Sequence, residues 1–420
     1  MISSPRKKYP WRRRLALLAV FITLLCALTL SRAPSVPLAP PPTATDALAM
    51  RAVFDRVRGL NSVVAPSPFS LTWSELRAAS ALGGRALSVP HLHVERANQM
   101  AIVNTSVRLP FAFWINASAM VERGEAGEAV IRGRLGHLPL PAPVMRGLIA
   151  TVRIIFRWRG VDVPRVDDLV SNVIVTEAGV SAVLNVPRDS GLMQALGGLR
   201  PDPISAAAVN RHYCRIAALE RALPEDDFAG QVRRAFAGTA DAGTPDAGTP
   251  DEGRARLVAL AMLTVSPEVG RLIADQAILT KGCLVVRTDA LINARADLAK
   301  HWALSAALTA SLGPDASLAM GVWKEMADSG QGGSGFSYAD LAADRAGIMV
   351  AQGLADATRA PAMHRWLAGV RGTQLLPIQK LALAEGMSEA EFAARYDGVN
   401  SARDKAVVAR IDSALQAALP

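Results

Sequence analysis

The sequence predicts an α+β protein, with an N-terminal transmembrane helix, a curved antiparallel sheet with packed helices, and then an all-helical C-terminal domain. Three observations carry this expectation. An uncharged apolar run follows a basic cluster near the N-terminus, apolar residues alternate between residues 86 and 187, and the spacing becomes helical from residue 203 onward. With 420 residues, half of them hydrophobic and a fifth charged, the chain exceeds the usual size of one domain and can bury substantial cores.

The net charge of +9 is concentrated, because Arg6, Lys7, Lys8, Arg12, Arg13 and Arg14 supply six positive charges. The remainder is mildly basic and only 5% of the chain is aromatic, so a base-stacking surface is disfavoured and no nucleic-acid partner is expected. The cations lead into Leu15–Leu30, close to the roughly 17–20 apolar residues that a helix needs to cross hydrocarbon. Positive charge before this run and proline after it predict a single-pass inner-membrane protein, with a cytoplasmic N-terminus and a periplasmic or other extracytoplasmic bulk. A cleaved secretory signal stays open as the alternative, although Ser31-Arg32-Ala33-Pro34 offers no small-x-small cleavage site. Either reading exports the remainder.

The expected domains are a basic segment and anchor (1–32), a Pro-rich spacer and helix (33–60), an α+β exported domain (61–200) and a helical domain (201–420). Leu48, Met50, Val53, Phe54 and Val57 mark the helix after the spacer, and another begins near Thr72. Strands are expected at 101–109, 111–121, 128–135 and 179–186. Between them, Pro143 to Trp158 reads as a helix with Val144, Leu148, Ile149, Val152, Ile155 and Phe156 on one broad face, and a shorter helix follows Pro164. His91 and His93 alternate on a strand, with no cysteine nearby to complete a zinc set.

Ser74-Glu75-Leu76, Arg108-Leu-Pro, Trp114-Ile-Asn116 and Leu135-Gly-His-Leu-Pro-Leu-Pro141, in that order, resemble the exported, membrane-anchored domains of the tubular lipid-binding superfamily over residues 70–187. The resemblance implies an apolar groove between a long helix and the sheet, where an acyl chain lies. Arg146, Arg153, Arg157 and Arg159 are positioned for lipid phosphates or simply form a solvated face, and the helix reads equally as ordinary core.

The helical domain opens with a helical pattern over 203–237 and a low-complexity loop at 238–253 that repeats Asp-Ala-Gly-Thr-Pro. Helices resume at Arg254 and after Pro267, and 374–386 is helix-compatible. Cys214 and Cys283 form a disulfide candidate, with two buried free thiols as the other reading. Three helices linked by Gly313-Pro314 and the glycine-rich 330–335 carry paired polar residues: Asp297 with His301, Glu325 with Asp328, and Asp340 with Asp344. Facing helices that present such pairs can hold a divalent metal or share protons. The alternative reads them separately, with Lys324 pairing Glu325 and Asp328, Asp344 pairing Arg345 or a neighbouring helix, and Ser337 to Asp340 forming a helix cap.

His301-Trp302, Gly321-Val-Trp-Lys-Glu325, Asp328, Gly333-Ser-Gly-Phe-Ser337 and Asp340-Leu-Ala-Ala-Asp344 resemble the signature of the YfiM-like family of envelope lipoproteins over residues 297–353. Here Lys300 stands beside His301 and the lipobox is missing. The resemblance identifies a module without naming a reaction. The expected function is a membrane-anchored envelope protein that binds a lipid or an envelope protein partner. The alternative is a metal-assisted hydrolase of an envelope lipid or polymer, using His301, Glu325, Asp328, Asp340 and Asp344, with a divalent metal as the cofactor.

Overall fold

Arginine sets the fate of the N-terminal segment. In the computed structural model, which describes residues 10–60, 66–86, 89–125, 127–158, 165–185, 204–237, 249–274 and 276–420, α1 (Pro10–Thr29) takes up the apolar run. Arg12, Arg13 and Arg14 fall within its first five residues, leaving Leu15–Thr29 uncharged, a stretch of roughly 22 Å at about 1.5 Å per residue. The hydrocarbon layer is about 30 Å thick. The chain cannot lengthen this helix, because Leu30–Ser31 (β1) pairs instead with Ile115 and Trp114. No described helix is long and apolar enough to cross a membrane, which corrects the expected transmembrane helix. Arg6, Lys7 and Lys8 lie outside the described residues.

The segment expected as a free spacer is tied down. The Ser35 and Val36 N–H groups donate to Ser106 Oγ, which itself donates to Asn116 Oδ1 (2.7 Å). Asn116 Nδ2 reaches back to the Ala33 carbonyl. After it come α2 (Ala44–Leu60), β2 (Ser67–Thr72) and α3 (Trp73–Ala86).

The expected single sheet is two antiparallel sheets. One orders β3 (Leu92–Ala97), β4 (Met100–Arg108), β5 (Trp114–Arg123), β6 (Ala129–Leu135) and β7 (Leu138–Leu140), with β1 on β5. The other orders β2, β9 (Gly179–Leu184) and β8 (Val170–Val175). The strand expected from Phe111 begins only at Trp114. Pro110 has no N–H for a ladder, and Pro110–Ala112 forms a 3-10 turn with Phe111 and Ala112 at φ 62° and 61°. Between the sheets' strands lie α4 (Ala142–Trp158) and the short α5 (Val166–Leu169).

The remaining chain is helical: α6 (Ala206–Ala222), α7 (Phe228–Phe236), α8 (Pro250–Thr264), α9 (Gln276–Leu279), α10 (Ala296–Leu312), α11 (Pro314–Asp328), α12 (Tyr338–Ala355), α13 (Ala360–Gly369), α14 (Gly372–Leu375), α15 (Glu389–Tyr396) and α16 (Ala402–Ala418). The low-complexity loop ends earlier than 253, since Thr249 caps α8 and Pro250 takes its first position, where a missing N–H costs nothing. Residues 374–386 are mostly non-helical, because Pro377 follows α14 at once.

Packing does not follow the expected domain boundary. Ala44, Ala47 and Met50 of α2 and Ala78 and Leu82 of α3 join the same core as Trp302, Leu257 and Tyr338. That core is rich in alanine and glycine, so helices approach closely: a Cβ on Gly347 of α12 would overlap the Trp302 carbonyl of α10. Buried arginines satisfy helix ends. Arg254 Nε donates to the Ala310 carbonyl, and Arg256 NH1 and the half-buried Arg215 NH2 donate to that of Ala235.

Cys214 on α6 and Cys283 are bonded, with Cα atoms 5.2 Å apart and a sequence separation of 69. Closing so long a loop restricts the unfolded chain by about 4 kcal/mol in the chain-entropy account. Cys214→Ser is therefore expected to lower stability by about 2–4 kcal/mol in urea titrations. Denatured, unreduced protein should show one reactive thiol, that of Cys26, the free cysteine.

A second prediction concerns His212, which is buried on α6 against Glu252. Burial, reinforced by the Arg256 guanidinium, pulls its pKa down to about 4 from an ordinary 6.5, even though Glu252 opposes the shift. The folded protein thus holds a neutral imidazole that the unfolded chain protonates. Stability from this group is complete above about 6.5 and falls as pH drops toward 4, by up to about 1.4 kcal/mol per pH unit. His212→Gln should flatten that part of the stability–pH curve.

Candidate functional site

α10, α11 and α12 place the singled-out polar residues together. On α10, Asp297, His301 and Ser305 follow one another at four-residue intervals and so share a face. α11 brings Gly321, Lys324, Glu325 and Asp328, and α12 brings Asp340 and Asp344 after its cap Ser337, whose hydroxyl accepts from the Asp340 N–H.

His301 lies at the centre, held from both sides. Its Nδ1 is 3.0 Å from Asp344 Oδ1 and its Nε2 is 3.2 Å from Asp340 Oδ2. Asp344 Oδ1 also accepts from the Ser305 hydroxyl at 2.7 Å, while its buried Oδ2 has no hydrogen-bond partner. That oxygen faces Gly321, where an added Cβ would come within 2.7 Å of it. Glu325 is fully buried, and its Oε2 accepts from the Ser337 N–H at 2.9 Å. Lys324 Nζ spans the acids, at 3.0 Å from Glu325 Oε1, 2.7 Å from Asp328 Oδ2 and 3.9 Å from Asp340 Oδ2. Its side chain is 45% exposed, which makes it the group of the centre most open to water.

The electrostatics follow from burial and pairing. Burial works against a charged His301, but the bonds to Asp340 and Asp344 outweigh it and push the imidazole up to about 10. Burial raises the Glu325 carboxyl to about 7 despite Lys324 beside it. Lys324 is held above its ordinary value: burial opposes its charge, and Glu325 and Asp328 outweigh burial. Asp340 is lowered, since His301 and Lys324 together overcome its burial. At neutral pH His301 is an imidazolium and no general base, whereas Glu325 is poised to exchange a proton.

The structure departs from the sequence reading in three places. Asp297 does not reach His301; it pairs with Arg295, which also meets Asp340 (3.2 Å) and Glu385. Of the two pairings open to Asp344, Arg345 fails, since its partner is Asp412 on α16, and the neighbouring helix holds through His301. Asp328 meets Lys324 and Arg51 of α2 and stands beside the centre without touching His301. Ser305 was legible as the next position on the His301 face and Arg295 stands at the start of α10 itself, but Glu385 and Arg51 arrive from other parts of the chain with no local signal.

A second feature lies at the sheet. α4 rests Met145 and Ile149 over β6, and a cavity of about 330 Å³ beside them is lined by Val130, Ile131, Ile149, Arg146, Arg153 and Arg165 among others. The expected broad apolar face is only partly used, because Val144, Leu148 and Val152 are exposed and Trp158 is 82% exposed. The side chains of Ile155 and Phe156, and Arg159, lie outside the described residues.

Removing the Lys324 ammonium leaves a buried carboxyl short of its counter-charge. Lys324→Met should destabilise the protein by about 1–3 kcal/mol. Adding Glu325→Gln should recover most of that loss in urea denaturation at pH 8, and a neutral effect of Lys324→Met alone would mean that the ammonium does not support the buried acid. Compared with family models, curated proteins and solved structures, the chain finds no match.

Proposed function

We propose that this chain is an exported binding protein of the cell envelope whose ligand is an anionic lipid held between α4 and β6. The observation that carries this reading is the cavity, which joins apolar walls from Val130, Ile131 and Ile149 to the arginines Arg146, Arg153 and Arg165. Its volume of about 330 Å³ suits a single chain or headgroup, at the small end of ligand pockets. Three arginines against Glu128 and Asp167 leave the lining one charge positive, the sign that attracts a phosphate or carboxylate headgroup.

The exposed stripe on α4 supports the same reading. Val144, Leu148 and Val152 recur every four residues and Trp158 follows, so α4 carries an exposed apolar face, with Arg146, Arg153 and Arg157 on the opposite face. A helix with an apolar face opposed by arginine suits the boundary between headgroups and acyl chains, where it lies along the surface. The Cys214–Cys283 disulfide is consistent with an oxidising compartment outside the cytoplasm.

Vesicles that contain phosphatidylglycerol should bind the full chain and vesicles of phosphatidylcholine alone should not. The double variant Arg146→Glu with Arg165→Glu should weaken binding at least about tenfold, and Leu148→Asp should weaken it without changing the fold. Co-sedimentation checks this, and equal binding to both vesicle types, or undiminished binding by the variants, would sink the reading.

A further inference from the structure

We infer that His301, Glu325 and Asp340 form a site for one divalent transition-metal ion, with Lys324 as the counter-charge that the ion displaces. Donor atoms of these three residues, one from each of α10, α11 and α12, lie within 4.8 Å of one another. The separation between His301 Nε2 and Asp340 Oδ2, 3.2 Å, is close to the roughly 3.3 Å that two donors at about 2.0 Å from one ion subtend at a tetrahedral angle. Glu325 completes the set by a side-chain rotation once Lys324 leaves its Oε1. One imidazole nitrogen with two carboxylates favours a first-row transition ion over Ca²⁺ or Mg²⁺, which prefer oxygen donors alone.

Two further observations point the same way. Asp344, with a side chain only 4% exposed, grips the other ring nitrogen, and this is the contact that orients a ligating histidine and keeps its lone pair on the metal side. Its carboxylate also has an oxygen, Oδ2, with no partner, so the carboxylate retains accepting capacity beyond what His301 and Ser305 use. The Lys324 ammonium already places positive charge against Glu325 and Asp340, at 3.0 and 3.9 Å, where an ion would take its place. Lys324 has somewhere to go, since its side chain is 45% exposed.

The experiment uses the full chain, stripped with chelator and dialysed against Zn²⁺, Mn²⁺ or Co²⁺, with bound metal measured by elemental analysis. One ion per chain is expected, and bound Co²⁺ should acquire the visible absorption of a low-symmetry site. Glu325→Gln should lose affinity more than tenfold. Asp344→Asn, at a residue that meets the histidine's other nitrogen and the Ser305 hydroxyl but is not one of the three ligands, should lose about 10–100-fold and shift the Co²⁺ spectrum. Lys324→Met should bind metal at least tenfold more tightly than the parent and recover its thermal stability when one equivalent is added. A purely structural ion network gives the opposite pattern: no stoichiometric metal, and a Lys324→Met variant that no ion rescues. Either finding overturns the assignment. Should the variants not fold, the parent's stoichiometry and Co²⁺ spectrum decide the question by themselves.

Discussion

Everything at the charged centre depends on how closely α10 and α12 approach. Gly347 lets α12 lie against the backbone of α10 at the Trp302 carbonyl, where no side chain larger than hydrogen fits. Trp302 is the next residue after His301, so the contact that sets the helix separation also sets the reach from His301 to Asp340 and Asp344. A Cβ at position 347 would push the helices apart by more than a hydrogen bond tolerates. The alanines along these helices, among them Ala299, Ala303, Ala306 and Ala343, extend that close contact over several turns. The centre is rigid because its scaffold has no spare volume, as close-packed interiors do not.

Such packing makes the buried charges costly, and the chain offsets the cost by position. Glu325 lies wholly inside the protein, yet its carboxylate takes the Ser337 N–H at the start of α12, where a helix N-terminus favours negative charge. The arginines of the core do the converse work at helix C-termini, where Arg254 and Arg256 satisfy carbonyls that no intrahelical N–H can reach. Helix ends also build part of the His301 centre, because Asp340 lies in the first turn of α12 and Glu325 in the last turn of α11, while His301 and Asp344 stand further inside their helices.

The sequence showed much of this centre and little of its surroundings. Four-residue intervals on α10 and α12 put His301 with Ser305, and Asp340 with Asp344, on single faces, and the Gly313-Pro314 link marked where α10 gives way to α11. Local spacing says which residues share a face and nothing about which faces meet. Asp297 shares the His301 face yet is claimed by Arg295 two residues before it, and of the two pairings open to Asp344 the neighbouring helix holds, while Arg345 goes to Asp412, 67 residues further along. The α1 correction has the same root. A count of uncharged residues suggested a membrane span, but three arginines at one end and a two-residue strand at the other shortened the helix. The second sheet was missed because β2 and β9 pair across more than a hundred residues, a register that alternation cannot reveal.

The two functional features occupy opposite kinds of surroundings, and this is why they suit different ligands. The cavity at α4 has few neighbours to hold its helix, an apolar stripe facing outward and arginines with water nearby, conditions that tolerate a pliable ligand of variable length. The His301 centre is enclosed by helices that cannot move apart and is reached past one lysine, conditions that suit a ligand no larger than an ion. α2 and α3 connect the two regions physically: both pack on α11, α3 continues directly from β2, and Arg51 of α2 touches Asp328 at the edge of the centre.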